Sequence, residues 1–162
     1  MTEPGIEFLQ EKKLIGVQMK MSIADHKTTE LWRSFMPRRK EIKNNLNTDL
    51  ISMQIYGKSF DFQNFNIHIP LDKWAAIEVS DFAYLPDRME AYTLPSGLYA
   101  VFLYKGDAND ASETFRFIFE RWLPQSGYEI DNRPHFEILG EKYKHDDPSS
   151  EEEIWIPIKP KE

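Results

Sequence analysis

Hydrophobic and polar residues alternate along several short segments of this chain, a pattern that indicates strands with one buried face. In residues 13–22, Ile15, Val17 and Met19 fall on one side of the predicted strand and Gln18 falls on the other. The same period of two predicts further strands at residues 50–56, 74–80, 91–94, 98–104, 135–143 and 153–159.

Two other segments follow the 3.6-residue period of an amphipathic helix. The first covers residues 24–44 and carries Leu31, Trp32 and Phe35 at helical spacing. Pro37 lies inside this segment and is expected to kink or end the helix, because proline lacks a backbone N–H and clashes with the preceding turn.

The second helix is predicted after a turn at residues 106–110, because Asp110 and Glu113 have the spacing of a capping box. Pro124 and Gly127 are expected to end this helix. Its apolar face is formed by Phe115, Ile118, Phe119 and Trp122.

Two segments fit neither period. Residues 1–12 are mostly polar and contain Pro4 and Gly5, so they are interpreted as a loose lead-in. Residues 58–73 mix apolar residues with Asn, Asp and Pro, and they are interpreted as a long, partly extended connection.

The order of the predicted elements repeats itself along the chain. The sequence LIGV at residues 14–17 corresponds to LYAV at residues 98–101, a helix follows each, and two strands follow each helix. The sequence therefore predicts an α+β domain over residues 13–162. Two pseudo-symmetric β-α-β-β repeats, at about 13–80 and 97–160, would form one curved antiparallel sheet.

Strand parity assigns residues to the two faces of this sheet. The face against the helices is predicted to hold Ile15, Val17, Tyr99, Val101, Leu103, Phe136, Ile138, Ile154, Ile156 and Ile158. The opposite face then collects Gln18, Trp74, Glu78, Phe102, Tyr104, Glu137 and Trp155. Aromatic residues beside carboxylates on an uncovered face are typical of a ligand groove, and a dimer interface or a second small core would give the same pattern.

Composition excludes several functional classes. The chain has 162 residues, 41% of them hydrophobic, which is enough for one domain with its own core. Its net charge of −7 argues against nucleic acid and anionic membranes as direct partners. The absence of cysteine excludes disulfides, thiolate metal sites and a cysteine nucleophile. No signal peptide or long apolar run is apparent, so a cytoplasmic location is expected.

The sequence contains no recognisable metal or cofactor motif. The histidines, His26, His68, His135 and His145, are scattered without the spacing of metal ligands. The glycines form neither a phosphate-binding loop nor a serine nucleophile elbow. We therefore expect no metal and no cofactor.

Several longer motifs make the chain recognisable. They are LPSGLYAVF at residues 94–102 with KG at 105–106, WLP at 122–124, SGY at 126–128, RPHFE at 133–137 and EIWIPI at 153–158. With these motifs the chain resembles the GyrI-like small-molecule-binding family, the effector-binding domain of multidrug-responsive transcription regulators. The resemblance spans about residues 13–160 and is most specific in the second half.

The resemblance implies two β-α-β-β units around a central groove that is lined by aromatic residues and takes bulky, often cationic or planar compounds. A glutamate in the family's Pro-x-x-Glu motif lies at the floor of that groove, and here that position is Glu137. Trp155 replaces the tyrosine or small aliphatic residue often found in the last strand. Together with strand parity, the resemblance gives as expected ligand contacts Glu137, Trp74, Phe102, Tyr104, Trp155 and Tyr56.

We therefore expect a domain that binds a hydrophobic small molecule, cationic or planar in character, with Glu137 supplying charge or a hydrogen bond and aromatic rings supplying stacking surface. Two alternatives stay open. Some stand-alone relatives hydrolyse cyclopropane-containing genotoxins, which would make Glu137 and Tyr104 catalytic. Others bind a topoisomerase, which would make the aromatic face a protein-interaction surface. About 12 residues precede the first strand, too few for a helix-turn-helix, so a stand-alone domain without direct DNA binding is expected.

Overall fold

The computed structural model describes residues 3–57, 67–107, 112–144 and 147–162. Its strands are β1 (Gly5–Leu9), β2 (Lys12–Met21), β3 (Leu50–Tyr56), β4 (Leu71–Val79), β5 (Glu90–Leu94), β6 (Gly97–Lys105), β7 (Tyr128–Ile130), β8 (His135–Leu139) and β9 (Glu151–Pro160). The predicted capping residue Asp110 and most of the predicted connection at 58–73 lie outside the described residues.

Both predicted helices are present. Helix α1 (Thr28–Phe35) buries Leu31 and continues as a 3₁₀ segment, Met36–Glu41, in which Pro37 occupies the first turn. Proline at this position has no N–H to leave unpaired, so the change of helix type occurs there.

The second helical region consists of three consecutive pieces. Helix α2 (Ser112–Arg116) passes through a π-helical stretch, Phe117–Trp122, into helix α3 (Leu123–Gln125). Ile118 is the fully buried residue of the π-helical stretch and packs against the sheet.

The strands form one antiparallel sheet in the order β1-β6-β9-β8-β3-β4-β2-β5, and β7 pairs with β9 beside this path. The chain order β2-α1-β3-β4 recurs as β6-α2-β8-β9. The predicted α+β class with two β-α-β-β repeats is therefore confirmed. Strand β1 corrects one prediction, because the segment interpreted as a loose lead-in contains a strand that pairs with β6.

The sheet is strongly curved. Strands β1 and β2 follow each other in the chain with a two-residue connection, yet they occupy the first and seventh places in the sheet. Strands β5 and β6 are joined just as closely and lie at the eighth and second places. Connections this short require the two ends of the sheet to approach each other, so one face becomes the inside of a curve.

This inner face is filled by a hydrophobic core, which corrects the prediction of an open groove on the side away from the helices. Its members are Leu9, Leu14, Ile51, Met53, Trp74, Ala76, Leu94, Tyr99, Phe136 and Trp155. The Phe136 and Trp155 rings stack with centroids 5.2 Å apart. Curvature brings these side chains against one another, and burying their apolar surface stabilises the closed arrangement.

The outer face carries two separate cores, one beneath each helical region. Helix α1 packs on Ile15, Ala75 and Ile77, and the second helical region packs on Phe102 and other residues of β6 and β9. The parity prediction is correct for Ile15, Val17, Ile154, Ile156 and Ile158. It is wrong for Tyr99, Val101, Phe136 and Ile138, which pack on the inner side, and for Leu103, which is exposed.

One glycine permits the close packing of β2 on β4. A Cβ atom at Gly16 would lie 2.0 Å from the backbone oxygen of Ala75 and 2.7 Å from the Cα of Ala76. The backbone of a central strand can move aside only at a large cost in free energy. Only glycine therefore fits opposite Ala76 in this pair of strands.

Candidate functional site: a cavity between the two helical regions

A cavity of about 1220 Å³ lies on the outer face of the sheet. The two helical regions cover the sides of this face, and strands β3 and β8 at its middle form the floor together with parts of β4 and β9. Apolar side chains on the walls include Met21, Phe115, Phe119, Leu123, Tyr128 and Ile156.

Polar residues converge on the floor because the strand register brings them to one face. Ser52 pairs with Glu137 and Gln54 pairs with His135 across β3 and β8, while Lys73 of β4 pairs with Gln54. The side-chain amide of Gln54 donates a hydrogen bond to Glu137 Oε2 at 3.2 Å. The amide oxygen of Gln54 is buried and accepts no hydrogen bond from any described residue.

Strands β3 and β8 hold equivalent places in the two repeats and pair with each other at the middle of the sheet. Met53 faces Phe136 in this pair, and each is followed by a polar residue of the floor, Gln54 and Glu137 respectively. The residue after the facing pair is therefore a neutral amide in one repeat and an acid in the other.

Burial dominates the electrostatics of the floor. It raises the pKa of Glu137, an effect that attraction to Lys73 and the hydrogen bond from Gln54 oppose. Burial lowers the pKa of Lys73, which is only 8% exposed, although Glu137 and Glu152 attract its charge. Burial and repulsion from Glu137 raise the pKa of Glu152 to about 7. Two carboxyl groups and one amine thus share a poorly hydrated site.

The ammonium group of Lys73 is not locked into an ion pair. Within the described parts of the chain, no carboxylate lies within 4.0 Å of its nitrogen and no hydrogen bond holds it. The amine therefore lines the cavity under the long-range influence of Glu137 and Glu152 without direct contact with either.

Tyr56 and His135 stand beside Glu137. Their rings meet edge to face with centroids 5.1 Å apart. Burial and the nearby Arg133 lower the pKa of His135 to about 3, so its imidazole is neutral at physiological pH. Burial, with a smaller effect of Glu137, raises the pKa of Tyr56 above its ordinary value.

The motifs at residues 94–102 and 133–137 contact each other, and these contacts fix the start of β8. The hydroxyl of Tyr99 donates to the backbone oxygen of Pro134 at 2.8 Å. The guanidinium of Arg133 lies 4.8 Å from the Tyr99 ring centroid and donates to Asp131 and to the backbone oxygen of Leu98. These contacts set the position from which Glu137 enters the floor.

Two of the six predicted contact residues line the cavity, namely Glu137 and Tyr56. Glu137 does so from the outer face of the sheet, so its predicted place on the face away from the helices is wrong: its neighbours Phe136 and Ile138 occupy the inner side. Trp74 and Trp155 do not, because they lie in the inner core with exposures of 3% and 9%. They are on the side of the sheet away from the helices, as predicted, but curvature has closed that side.

Phe102 and Tyr104 also lie away from the cavity lining. Both belong to the core beneath the second helical region, where Phe102 meets Trp122 edge to face at 5.3 Å. The Tyr104 hydroxyl donates to the backbone oxygen of Asp107. Strand β6 is apolar on both faces, so alternation alone assigned these residues to the wrong one.

Several cavity residues were not predicted. Phe115 and Phe119 belong to the predicted apolar face of the second helix, and in the structure they also line the cavity, with stacked rings whose centroids are 6.5 Å apart. The sequence does contain a signal for Lys73 and Gln54. Lys73 precedes the inner-face residue Trp74, and Gln54 follows the inner-face residue Met53. Strand alternation therefore places both side chains on the outer face.

Among the residues that the structure describes, no three His, Asp or Glu side chains are grouped closely enough to hold a metal ion. Nor is any helix within those residues long and apolar enough to cross a membrane.

The chain belongs to the family of GyrI-like small molecule binding domains, whose profile matches residues 2–159. It is 27% identical over 146 residues to the transcriptional regulator BrlR of Pseudomonas aeruginosa, an alignment that covers 90% of this chain and 51% of BrlR. The chain therefore spans about half the length of this curated relative.

Solved structures share the fold at low sequence identity. SAV2435 bound to tetraphenylphosphonium superposes with a TM-score of 0.74 at 16% identity, covering 98% of this chain and 94% of that one. The C-terminal domain of EcmrR gives 0.71 at 13% identity, covering 98% of each chain. A hydrolase from Listeria innocua gives 0.61 at 14% identity, covering 97% and 92%.

Proposed function

We propose that the cavity between the helical regions binds a bulky hydrophobic small molecule, cationic or planar in character, with Glu137 as the acidic group at its floor. The volume of about 1220 Å³ is sufficient for a drug-sized ligand, since such pockets measure about 300–1,000 Å³. The apolar walls and the few polar groups of the floor are the usual composition of such pockets.

The observation that carries this proposal is the position of Glu137. Its carboxylate is half-buried at the floor of an apolar cavity, and the hydrogen bond from Gln54 leaves acceptor positions open. A bound cation would supply the missing countercharge. Tyr56 stands beside the carboxylate and can contribute an aromatic ring face to the same cation. The relative SAV2435, which was solved with the lipophilic cation tetraphenylphosphonium, shows this fold with such a ligand.

Isothermal titration calorimetry with tetraphenylphosphonium tests the proposal, with neutral triphenylphosphine oxide as the uncharged comparison. Two charges about 5 Å apart interact by about 3 kcal/mol at an effective dielectric constant near 20, and the charge of Lys73 offsets part of this. We therefore expect Glu137→Gln to weaken cation binding about 10–100-fold and to leave the neutral compound almost unaffected.

Glu120→Gln is the matched control, because Glu120 lines the exposed rim of the same cavity. Solvent and salt screen an exposed charge, so this variant should change the affinity less than about twofold. Equal affinities of the wild type and Glu137→Gln for tetraphenylphosphonium would show that the carboxylate has no role in binding.

Hydrolysis of a strained electrophile in the same cavity is the second candidate function. The raised pKa of Glu137 favours it, because a carboxyl group that resists ionisation is better suited to act as a general acid. Tyr104 is not proposed as its partner, since its hydroxyl is engaged with Asp107 beneath the helices. Product formation from a cyclopropane-type substrate, lost in Glu137→Gln, would establish this activity; stoichiometric binding without product would exclude it for that substrate.

The aromatic surface predicted for a protein partner is not exposed, because Trp74 and Trp155 are buried in the inner core. The cytoplasmic location and the lack of direct DNA binding stay predictions. We propose that residues 13–162 act as one ligand-binding unit, to which β1 adds an edge strand.

A further inference from the structure

We propose that the amine of Lys73 captures hydrophobic aldehydes or ketones at the cavity floor by forming a reversible imine. This inference uses the cavity of the proposed function but does not depend on cation binding. It gives the chain a second class of ligand, apolar carbonyl compounds, and assigns a chemical role to a residue that cation binding leaves without one.

The placement of Lys73 is the first argument. A buried lysine that lines an apolar cavity is unusual, because lysine is almost never buried unless it is paired. Here the side chain is 8% exposed, and no carboxylate within the described residues approaches it within 4.0 Å. A salt bridge would stabilise the charged form of the amine. Within the described residues Lys73 forms no salt bridge, so its charged form lacks this stabilisation.

The environment of the amine is the second argument. Desolvation lowers its pKa, which increases the fraction of neutral, nucleophilic amine at physiological pH. Desolvated lysines in apolar pockets are the usual nucleophiles for imine formation with carbonyl compounds. The surface lysines of this chain lack such surroundings: Lys142, for example, has a side chain that is 78% exposed.

The walls of the cavity select the carbonyl compound. Phe115, Phe119 and Leu123 offer aromatic and aliphatic surface above the floor. An aldehyde with an aromatic body can bury that body against these residues while its carbonyl carbon reaches the floor. Small hydrated aldehydes would gain little from this surface, so the site should favour large apolar ones.

The chemistry needs no oxidant or metal. The neutral amine of Lys73 attacks the carbonyl carbon, a C–N bond forms, and the carbonyl oxygen becomes the hydroxyl of a carbinolamine. The Glu137 carboxyl group then protonates that hydroxyl, which leaves as water while the nitrogen lone pair forms the C=N bond. The carboxylate recovers a proton from the nitrogen, and hydrolysis by the reverse path releases the ligand.

Reductive trapping tests this inference. The full chain is incubated with one equivalent of 2-naphthaldehyde and sodium cyanoborohydride, which converts an imine into a stable secondary amine. Intact-mass and peptide-mapping measurements then report how many naphthylmethyl groups are attached and where. Burial of the naphthalene ring against the apolar walls concentrates the aldehyde beside Lys73, so we expect Lys73 to react about tenfold faster than the exposed Lys142, or more.

Lys73→Arg keeps the positive charge but cannot form the imine, and Lys142→Arg is the matched control on the surface. We expect Lys73→Arg to lose the fast labelling and Lys142→Arg to keep it. Saturation with tetraphenylphosphonium, where it binds, should slow labelling at Lys73 without changing labelling at Lys142.

Labelling that is spread over the surface lysines at equal rates would overturn the inference. The peptide map of the wild-type protein decides this point even where Lys73→Arg does not fold. Because the map is independent of cation binding, failure of the imine and failure of the proposed function give different results.

Discussion

Glu152→Gln is expected to stabilise the protein at high pH, because the native fold buries a carboxyl group that resists ionisation. Glu152 lies on β9, is 9% exposed and receives no hydrogen bond from the described residues to its side chain. Burial and repulsion from Glu137 outweigh the attraction of Lys73 and raise its pKa from 4.5 to about 7.

The size of the effect follows from the two pKa values. In the unfolded chain the carboxyl group ionises near 4.5, and in the folded protein near 7. The contribution of Glu152 to stability is therefore most favourable below pH 4.5, falls as the pH rises between these values, and stays low above them. At 1.36 kcal/mol per pH unit the interval corresponds to about 3 kcal/mol, which partial solvent screening reduces to about 2–3 kcal/mol.

Glutamine has almost the same shape and no charge, so Glu152→Gln removes this dependence. The free energy of unfolding of the variant should equal that of the wild type near pH 4 and exceed it by about 2–3 kcal/mol at pH 8. Urea denaturation followed by circular dichroism at pH 4, 6 and 8 measures the difference. The neutral His135, with its pKa lowered to about 3, costs stability as the pH falls, but it does so equally in both proteins.

Glu120→Gln, at an exposed position, serves as the control and should track the wild type at every pH. Parallel stability curves for Glu152→Gln and the wild type between pH 4 and 8 would refute the reasoning, because they would mean that Glu152 ionises normally in the fold. A lower stability of the variant at pH 8 would refute it as well.

Three further predictions concern the packing and the charges of the site. Gly16→Ala should lower the free energy of unfolding by about 2–4 kcal/mol in urea denaturation, because its Cβ would lie 2.0 Å from a backbone oxygen. The control Gly5→Ala, with open space beside the residue, should lower it by less than about 1 kcal/mol. Lys73→Met should tighten tetraphenylphosphonium binding about tenfold by calorimetry, because it removes a buried positive charge; unchanged or weaker binding would show that the ammonium does not oppose the ligand. Affinity for this permanent cation should rise with pH as the buried carboxyl groups of Glu137 and Glu152 ionise, and Glu152→Gln should remove the part of the rise near pH 7.

Local pattern was sufficient to predict the elements of this fold. Strand β3 was predicted with its actual bounds, Leu50–Tyr56, and the helical face of Leu31 and Phe35 is the buried face of α1. These features depend on side chains a few residues apart, which is the range over which periodicity is informative.

The closure of the sheet depended on long-range pairing that no local pattern contains. Trp74 and Trp155 were assigned to the correct side of the sheet. Their burial results from the short β1–β2 and β5–β6 connections, which bring the two ends of the sheet together. Phe102 illustrates a second limit, because a strand that is apolar on both faces carries no parity signal.

The prediction of Glu137 rested on a motif that the structure explains through Arg133 and Tyr99, which anchor the start of β8. Lys73 was missed because it fell in the predicted connection at residues 58–73, whereas strand β4 begins at Leu71 and its register with Gln54 brings Lys73 over the floor.

The two repeats contribute unequally to the cavity, although the order of their elements is the same. The second repeat supplies Glu137 to the floor and Phe115 and Phe119 to the wall, whereas the first supplies Lys73 and Gln54 to the floor. A cationic ligand would therefore meet its countercharge and the stacked rings of the second helical region on the same side. The duplicated fold thus gives a cavity with two unlike halves, which favours one orientation of a bound cation.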